Sequence, residues 1–219
     1  MSTPIVNLHD HERAAQSAMS DAAWAYFSGG AADEITLRRN VQAWQSLGLA
    51  PRVLQDLRSG HTRCQLLGKS WPMPLLVAPM ATQRWAHPEG ESGMALAAAA
   101  QGCGFVLSHQ TSTALSEVAS LVVSEKDRGP LWFQLYWQGE REPTLRLLRR
   151  AEAAGAQAIV FTVDAPIKQA TLDLPEGISA VNLEPVTAPL PLPAGGSAVF
   201  DQWMAAAPRW EDLDWLRRQ

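Results

Sequence analysis

The stretch "WFQLYWQ", Trp132 to Gln138, starts like the apolar core of an interior strand and then sets Gln134 and Tyr136 two positions apart. Side chains alternate along a strand, so the amide and the phenol share one face. Buried without partners, both groups would cost free energy, so the spacing calls for a ligand or a polar neighbour to take them. Three other apolar runs finish in the same way. "PLLVAPMA" (74–81) runs into "MATQ", "GFVLSHQ" (104–110) into "SHQT", and "AIVFTVDAP" (158–166) contains "TVDA". One polar strand end is most simply the start of a loop or the cap of the next helix. Four in a row, the Gln134/Tyr136 pair among them, point to a ligand floor of amides, hydroxyls and a phenol. Such groups hold and orient, but neither Gln134 nor Tyr136 is a base for proton abstraction at neutral pH.

The elements that must position these groups follow from the pattern between the runs. Each run is near-continuously apolar at its start, which suits a parallel strand covered on both faces. Helical patterns lie between them: "PEGESGMALAAAAQG" (88–102), "TSTALSEVASLVV" (111–123) and "REPTLRLLRRAEAAG" (141–155). In the last, Pro143 stands near the first helical position, Gly155 is a stop, and Leu147, Ala151 and Ala154 share a face. Strand and helix alternating at a spacing of about thirty residues predict a run of βαβ units. Four such units make half of a (β/α)₈ barrel, or a small open doubly wound sheet. A dinucleotide fold wants a Gly-rich turn after its first strand, and "APMATQRW" has no glycine.

Residues 1–72 read as a helical lead-in and a small hairpin. The lead-in contains one helix, a break at Gly29–Gly30, and a second helix with Leu37, Val41 and Trp44 on one face; "HTRCQLLGKSWPMP" looks like the hairpin. Residues 73–219 carry the βα units, a Pro/Gly-rich loop at about 171–207, and a last helix, "PRWEDLDWLRRQ".

The totals of the 219 residues exclude several function classes. Apolar content of 47% and charged content of 18% describe an ordinary globular chain. A net charge of −4 and a pI near 5.7 argue against nucleic acid as a partner, since phosphate binding wants a basic face. Cys64 and Cys103 make neither a disulfide framework nor a metal-ligand spacing, and read as plain thiols in a reducing compartment. The start, "MSTPIVNLHDHERAAQ", lacks the basic and apolar regions of a signal peptide, and "GMALAAAA" (93–100) is too short for a membrane span. These features predict a cytoplasmic protein with no metal; weak attachment to a membrane surface stays open.

Taken in order, "AYFSGGAADEITLRRN", "PRVL", "MPLLVAPMATQRWAHPEGE", "LSHQTSTALSEVA", "WFQLYW", "AEAAGAQAIVFTVDAP", "ISAVNL" and "WEDLDWLR" are highly specific together. On these motifs the chain resembles the flavin mononucleotide (FMN)-dependent 2-hydroxy acid oxidases and dehydrogenases, the family of glycolate oxidase, lactate oxidase and mandelate dehydrogenase. The resemblance implies a TIM barrel with FMN at the carboxyl ends of its strands, of which about the first four βα units are present. It implies that Pro79, Met80 and Ala81 line the flavin, that Ser108 and Thr162 hydrogen-bond its ring, and that Gln134 meets its pyrimidine edge. It also implies that Tyr26 binds the substrate carboxylate and Tyr136 stands at the substrate hydroxyl, the two tyrosines being the catalytic candidates of this half. Each has a plainer alternative. Pro79 can be a turn, Ser108 and Thr162 can be satisfied by neighbouring backbone, and Tyr26 can be a core aromatic. Gln110 replaces an aromatic found in many relatives and suits a different substrate pocket; after "TVDAP" the usual arginine-rich stretch gives way to "IKQATLDLPEG", with Lys168 as its one basic residue.

The implied chemistry removes a proton from a small (S)-2-hydroxy acid and passes a hydride equivalent to the flavin, giving the 2-oxo acid. The resemblance assigns this to a histidine, an arginine and a lysine on later strands, none of which this chain matches. Its histidines are His9, His11, His61, His87 and His109. His87, in "HPEGE", reads as structural beside a helix start. His109, after Ser108, is at a strand end, a position more often a pocket wall or solvated than chemical. The chain is therefore expected to be inactive alone; the rest is a separate polypeptide, a lost half, or a part absent by truncation or cleavage, and the partners left open are a complementing C-terminal half or a second copy. Other readings are a non-catalytic half-barrel that binds a ligand or partner by self-association, and a truncated remnant.

Overall fold

A computed structural model describes residues 4–125, 127–164, 173–183, 192 and 195–219. They divide into two compact units, Met1–His61 and Thr62–Gln219.

The first unit holds helices α1 (Leu8–Ala18), α2 (Asp21–Ser28) and α3 (Ile35–Gln45). The sequence reading did not anticipate α1, whose start is a capping box: Asn7 Oδ1 accepts the Asp10 N–H at 3.1 Å, and the Asp10 carboxylate accepts the Asn7 N–H at 3.1 Å. Helix α2 is capped by Ser20 and stops at Gly29, where a Cβ would lie 2.6 Å from the Ala25 carbonyl oxygen. Helix α3 presents the expected Leu37, Val41 and Trp44, but all three are exposed.

The second unit begins with an antiparallel hairpin, β1 (Cys64–Leu66) and β2 (Lys69–Trp71), which belongs with the later strands by its contacts and not with the lead-in. Strands β3 (Leu76–Val77), β4 (Gly104–Ser108), β5 (Leu131–Tyr136) and β6 (Ile159–Thr162) form a parallel sheet in chain order. Helices α4 (Gly90–Ala100), α5 (Leu115–Val122) and α6 (Arg141–Ala153) connect them. Strand order never reverses, so the sheet has no switch point and follows barrel order, not the doubly wound alternative. The first strand is two residues long instead of the expected 74–81, because Pro74 and Pro79 bracket it and neither has an N–H to give a ladder.

Side-chain parity sorts the sheet into two faces. Phe105, Leu107, Leu131, Phe133 and Leu135 pack with Ala95, Ala98, Leu115, Val118, Leu147 and Ala151 of the helices, and Ile159 and Phe161 extend this core. The alternate positions, Val106 and Ser108, Trp132, Gln134 and Tyr136, Val160 and Thr162, therefore line the other face. At the amino end of that face Trp71 of the hairpin packs edge-to-face on Trp132, with ring centroids 5.3 Å apart. Gly129 lets the chain entering β5 lie against the start of β4: a Cβ there would be 2.3 Å from the Cys103 carbonyl carbon and the Gly104 nitrogen.

Two late segments lock onto the helices. In "ISAVNL", Asn182 Oδ1 accepts the Leu115 N–H at 3.1 Å, capping α5 from 67 residues away, while Arg150 donates to the Asn182 carbonyl at 2.9 Å. Helix α7 (Trp210–Arg217) is held by an Arg141–Asp212 bond of 2.9 Å and by the Arg141 guanidinium 5.4 Å from the Trp215 ring centre. Trp137 Nε1–H donates to the Ala206 carbonyl at 2.9 Å. Residues 171–172, 184–191, 193 and 194 of the expected 171–207 loop, and Lys168, lie outside the described residues. Its described part includes a π-helical run, Ala198–Met204, started by Ser197, whose hydroxyl accepts the Phe200 N–H. Among the described residues no helix is long and apolar enough to cross a membrane.

The loops after β3 and β4 are tied together by one buried carboxylate. Glu91, fully buried at the start of α4, accepts the Gln83 N–H at 3.0 Å and the Ser112 N–H at 2.7 Å. It also takes the Ser112 hydroxyl at 2.8 Å and the Thr113 hydroxyl at 2.9 Å. Ser112 Oγ in turn accepts the Arg84 N–H at 3.0 Å. Burial pushes the Glu91 carboxyl up, but the amides of Ser112 and Gln83, its own amide and the Ser112 hydroxyl outweigh it and hold the group below the ordinary glutamate value.

A folded-state value below the unfolded one stabilises the protein above the unfolded pKa of about 4.3 and loses that stabilisation as pH falls through the folded value. Glu91→Gln is expected to cost about 2–3 kcal/mol at pH 7 and to flatten the acid limb of stability, measured by urea denaturation from pH 7 to pH 3. Gly129→Ala is expected to cost about 3 kcal/mol or more in the same assay, against about 0.5 kcal/mol or less for Gly48→Ala, whose added Cβ meets nothing.

Candidate functional site

Pairing aligns Ser108 with Gln134 and Tyr136 with Thr162, so β5 and β6 end level with each other, two residues beyond the end of β4. On the face away from the helices their polar side chains join in one line. The Gln110 N–H donates to Ser108 Oγ at 3.1 Å, and Ser108 Oγ donates to Gln134 Oε1 at 3.2 Å. Gln134 Nε2 donates to Thr162 Oγ1 at 2.9 Å. Because Thr162 Oγ1 is the acceptor of that bond, its own proton is left to give to whatever lies on the ledge. Gln134 also keeps a second N–H and a second carbonyl lone pair. Ser108 and Gln134 are buried; Gln110, Tyr136 and Thr162 are half-buried and face outward from the packed core.

The segment after β3 borders this line. Pro79 and Met80 are exposed and Ala81 is half-buried. Thr82 then ties the two loops together through its N–H to the Gln110 carbonyl at 3.1 Å. Thr82 adopts left-handed backbone angles (φ 48°, ψ 47°), strained for a β-branched residue, and its buried hydroxyl has no protein partner. A strained residue with an orphaned hydroxyl beside exposed backbone suits a segment that closes on a ligand.

Sequence reasoning thus named a group of residues of which the structure brings Ser108, Gln110, Gln134, Tyr136 and Thr162 together, with Pro79, Met80 and Ala81 on the adjoining loop. The plainer alternative for Ser108 holds in part, since its oxygen takes a neighbouring backbone N–H while its proton goes to Gln134. Tyr26 lies in the first unit, half-buried on α2 and edge-to-face with Phe27 at 4.9 Å. Glu91, Thr82 and Asn182 were missed. The run of hydroxyls in "QTST" facing an acidic helix start in "EGE" was the available signal for Glu91.

Neither histidine of the second unit, His87 or His109, is arranged as a base against this ledge. His9, His11 and His61 lie exposed in the first unit, and His87 accepts the Glu89 N–H at 3.3 Å beside the start of α4. His109 is buried, with Nδ1 engaged by the Tyr136 N–H at 2.9 Å. Among the described residues no cluster of three metal-ligating side chains occurs. The arrangement can bind a flat heterocycle with alternating donors and acceptors and can orient a polar substrate group.

The chain is similar to known proteins in sequence and in fold. The FMN-dependent dehydrogenase family model matches residues 15–219. L-lactate oxidase of Alicycliphilus denitrificans is 44% identical over 96% of this chain and 59% of its own length. 4-Hydroxymandelate oxidase of Amycolatopsis orientalis is 36% identical over 97% of this chain and 60% of its own. A solved mandelate oxidase with (S)-2-phenylpropionate superposes with a TM-score of 0.75 at 37% identity, covering 82% of this chain and 54% of that one. A solved mandelate oxidase variant with an FMN adduct superposes at 0.72. The chain spans a little over half the length of the relatives it matches, and what it matches is their first βα units in barrel order. With residues 15–219 covered by the family model, the chain belongs to the FMN-dependent dehydrogenase family.

Proposed function

We propose that this chain is the flavin-cradling half of an enzyme that oxidises a small (S)-2-hydroxy acid to the 2-oxo acid. The observation that carries the reading is the hydrogen-bonded line Ser108–Gln134–Thr162 across the carboxyl ends of three parallel strands. The residues present fit FMN: an amide with spare donor and acceptor capacity, a hydroxyl proton left at Thr162, and a strained loop with an orphaned hydroxyl at Thr82. FMN supplies the two-electron acceptor that no side chain can. Gln134, with Ser108 and Thr162, would hold the polar edge of the ring, and the backbone at Pro79, Met80 and Ala81 would border it. Tyr136 would orient the substrate hydroxyl, and Gln110 would shape the pocket beside it.

The chain's own groups at this site can bind and orient but not take the substrate's proton. We therefore assign proton removal to a second part that completes the barrel. Strand β6 suits such a partner: among the described residues it is the last in the sheet, all four of its residues are only half-buried, and Val163 beyond it is 64% exposed. Parallel sheets are stable with both faces covered and their edges paired. The free thiols Cys64 and Cys103 suit a reducing compartment, and we place the protein in the cytoplasm.

The purified chain is expected to lose FMN on gel filtration. Mixed with a polypeptide carrying the remaining βα units of a related L-lactate oxidase, it should retain flavin and turn over (S)-2-hydroxy acids. Tight flavin binding by the chain alone would overturn the two-part reading, and absence of flavin from the purified complex would overturn the FMN reading. In that complex Gln134→Leu should weaken FMN binding about tenfold or more, read from flavin fluorescence, because it removes two hydrogen-bonding groups from a desolvated edge.

A further inference from the structure

We propose that His109 is a positioning residue, with its ring proton on Nε2 and its bare Nδ1 locking Tyr136 at the end of β5. The purpose of the lock rests on the role proposed for Tyr136 above; the lock itself does not. His109 is the first residue beyond β4, and its own N–H still donates to the Gln134 carbonyl at 3.0 Å. A parallel ladder continued by one step would send the Tyr136 N–H to the carbonyl of residue 109. Instead that N–H goes to the imidazole of the same residue, Nδ1, at 2.9 Å. The side chain takes over as acceptor where the backbone of β4 turns away.

The tautomer follows from the partner. A peptide N–H can only donate, so the nitrogen that meets it must present a lone pair, and the ring proton is left to Nε2. His109 is 2% exposed, and its ring meets the Tyr136 ring edge-to-face, with centroids 4.9 Å apart and planes at 74°. Tyr136 is thus held at two points, main chain and ring, by one side chain from the neighbouring strand. An engaged Nδ1 cannot serve as a proton acceptor for substrate, so His109 does not replace a missing base; it aims the phenol.

Two substitutions separate the two contacts. His109→Asn places an amide oxygen where Nδ1 stands and keeps the acceptor without the ring; His109→Phe keeps a ring without the acceptor. In the 219-residue chain, NMR of isotope-labelled histidine should show His109, assigned by its loss in the Asn variant, as the Nε2–H tautomer at neutral pH. The Tyr136 amide should be protected from hydrogen exchange in the wild type and in His109→Asn, and about tenfold or more less protected in His109→Phe. An Nδ1–H tautomer, an imidazolium, or equal protection in the Phe variant would overturn the proposal.

In the completed complex His109→Phe should lower kcat about tenfold with FMN affinity unchanged, and His109→Asn should recover part of that loss. A parallel loss of FMN binding, or no recovery with Asn, would mark a merely structural histidine and overturn the positioning role. If the complex binds no FMN at all, the functional reading fails, while the tautomer and exchange results still decide the lock.

Discussion

Side chains alternate across a strand, and in this sheet that single constraint decides what is core and what is site. The register that seals Phe105, Leu107, Phe133 and Leu135 against helices α4, α5 and α6 forces Ser108, Gln134, Tyr136 and Thr162 onto the opposite face. A one-residue slip of β5 would bury Gln134 and Tyr136 among alanines and leucines and turn Phe133 outward. The polar line cannot be lost by slippage without losing the core as well. Gly129, which no larger residue can replace without a clash on the β4 backbone, helps to seat the two strands.

The loops that finish the site are held by polar groups whose burial is costly in itself. Glu91 shows how the balance falls: taking a carboxylate out of water opposes ionisation, and several convergent donors more than restore it. The result is a rigid link between the loop carrying Pro79, Met80 and Ala81 and the loop following Ser108. Thr82 sits inside this link in a backbone conformation it would not choose alone. The hydrogen bond from its N–H to Gln110 helps to hold it there, as over-determined surroundings hold strained residues at binding sites.

How much of this the sequence could say depends on the range of each interaction. The strands and helices were legible because apolar periodicity is local; the count of βα units left a half-barrel and a doubly wound sheet both open, and the family motifs pointed to the barrel. The Gln134/Tyr136 pair was legible because period-two spacing places both on one face. The shortness of the first strand was not, because Pro74 and Pro79 remove ladder donors that the apolar pattern cannot weigh. Helix α1 was hidden by its polarity, although Asn7 and Asp10 stand at capping-box spacing. Asn182 capping α5 across 67 residues, and Glu91 meeting the loop after β4, are contacts that exist only once the sheet has formed. His109 read as a pocket wall or a solvated group, since nothing local shows that its imidazole replaces a ladder carbonyl.

The division of chemistry along the barrel has a physical logic. Groups suited to a planar heterocycle are rigid and desolvated and keep donors and acceptors to spare, and the ends of these parallel strands offer that with amides and hydroxyls that do not titrate. A group that accepts a proton must change charge during turnover, which a tightly paired, buried network resists. His109 illustrates the conflict. The bond that makes it a good support for Tyr136 occupies the lone pair a base would need, so the same residue cannot do both. On the function proposed above, proton transfer then falls to a group off this ledge that stays accessible to substrate.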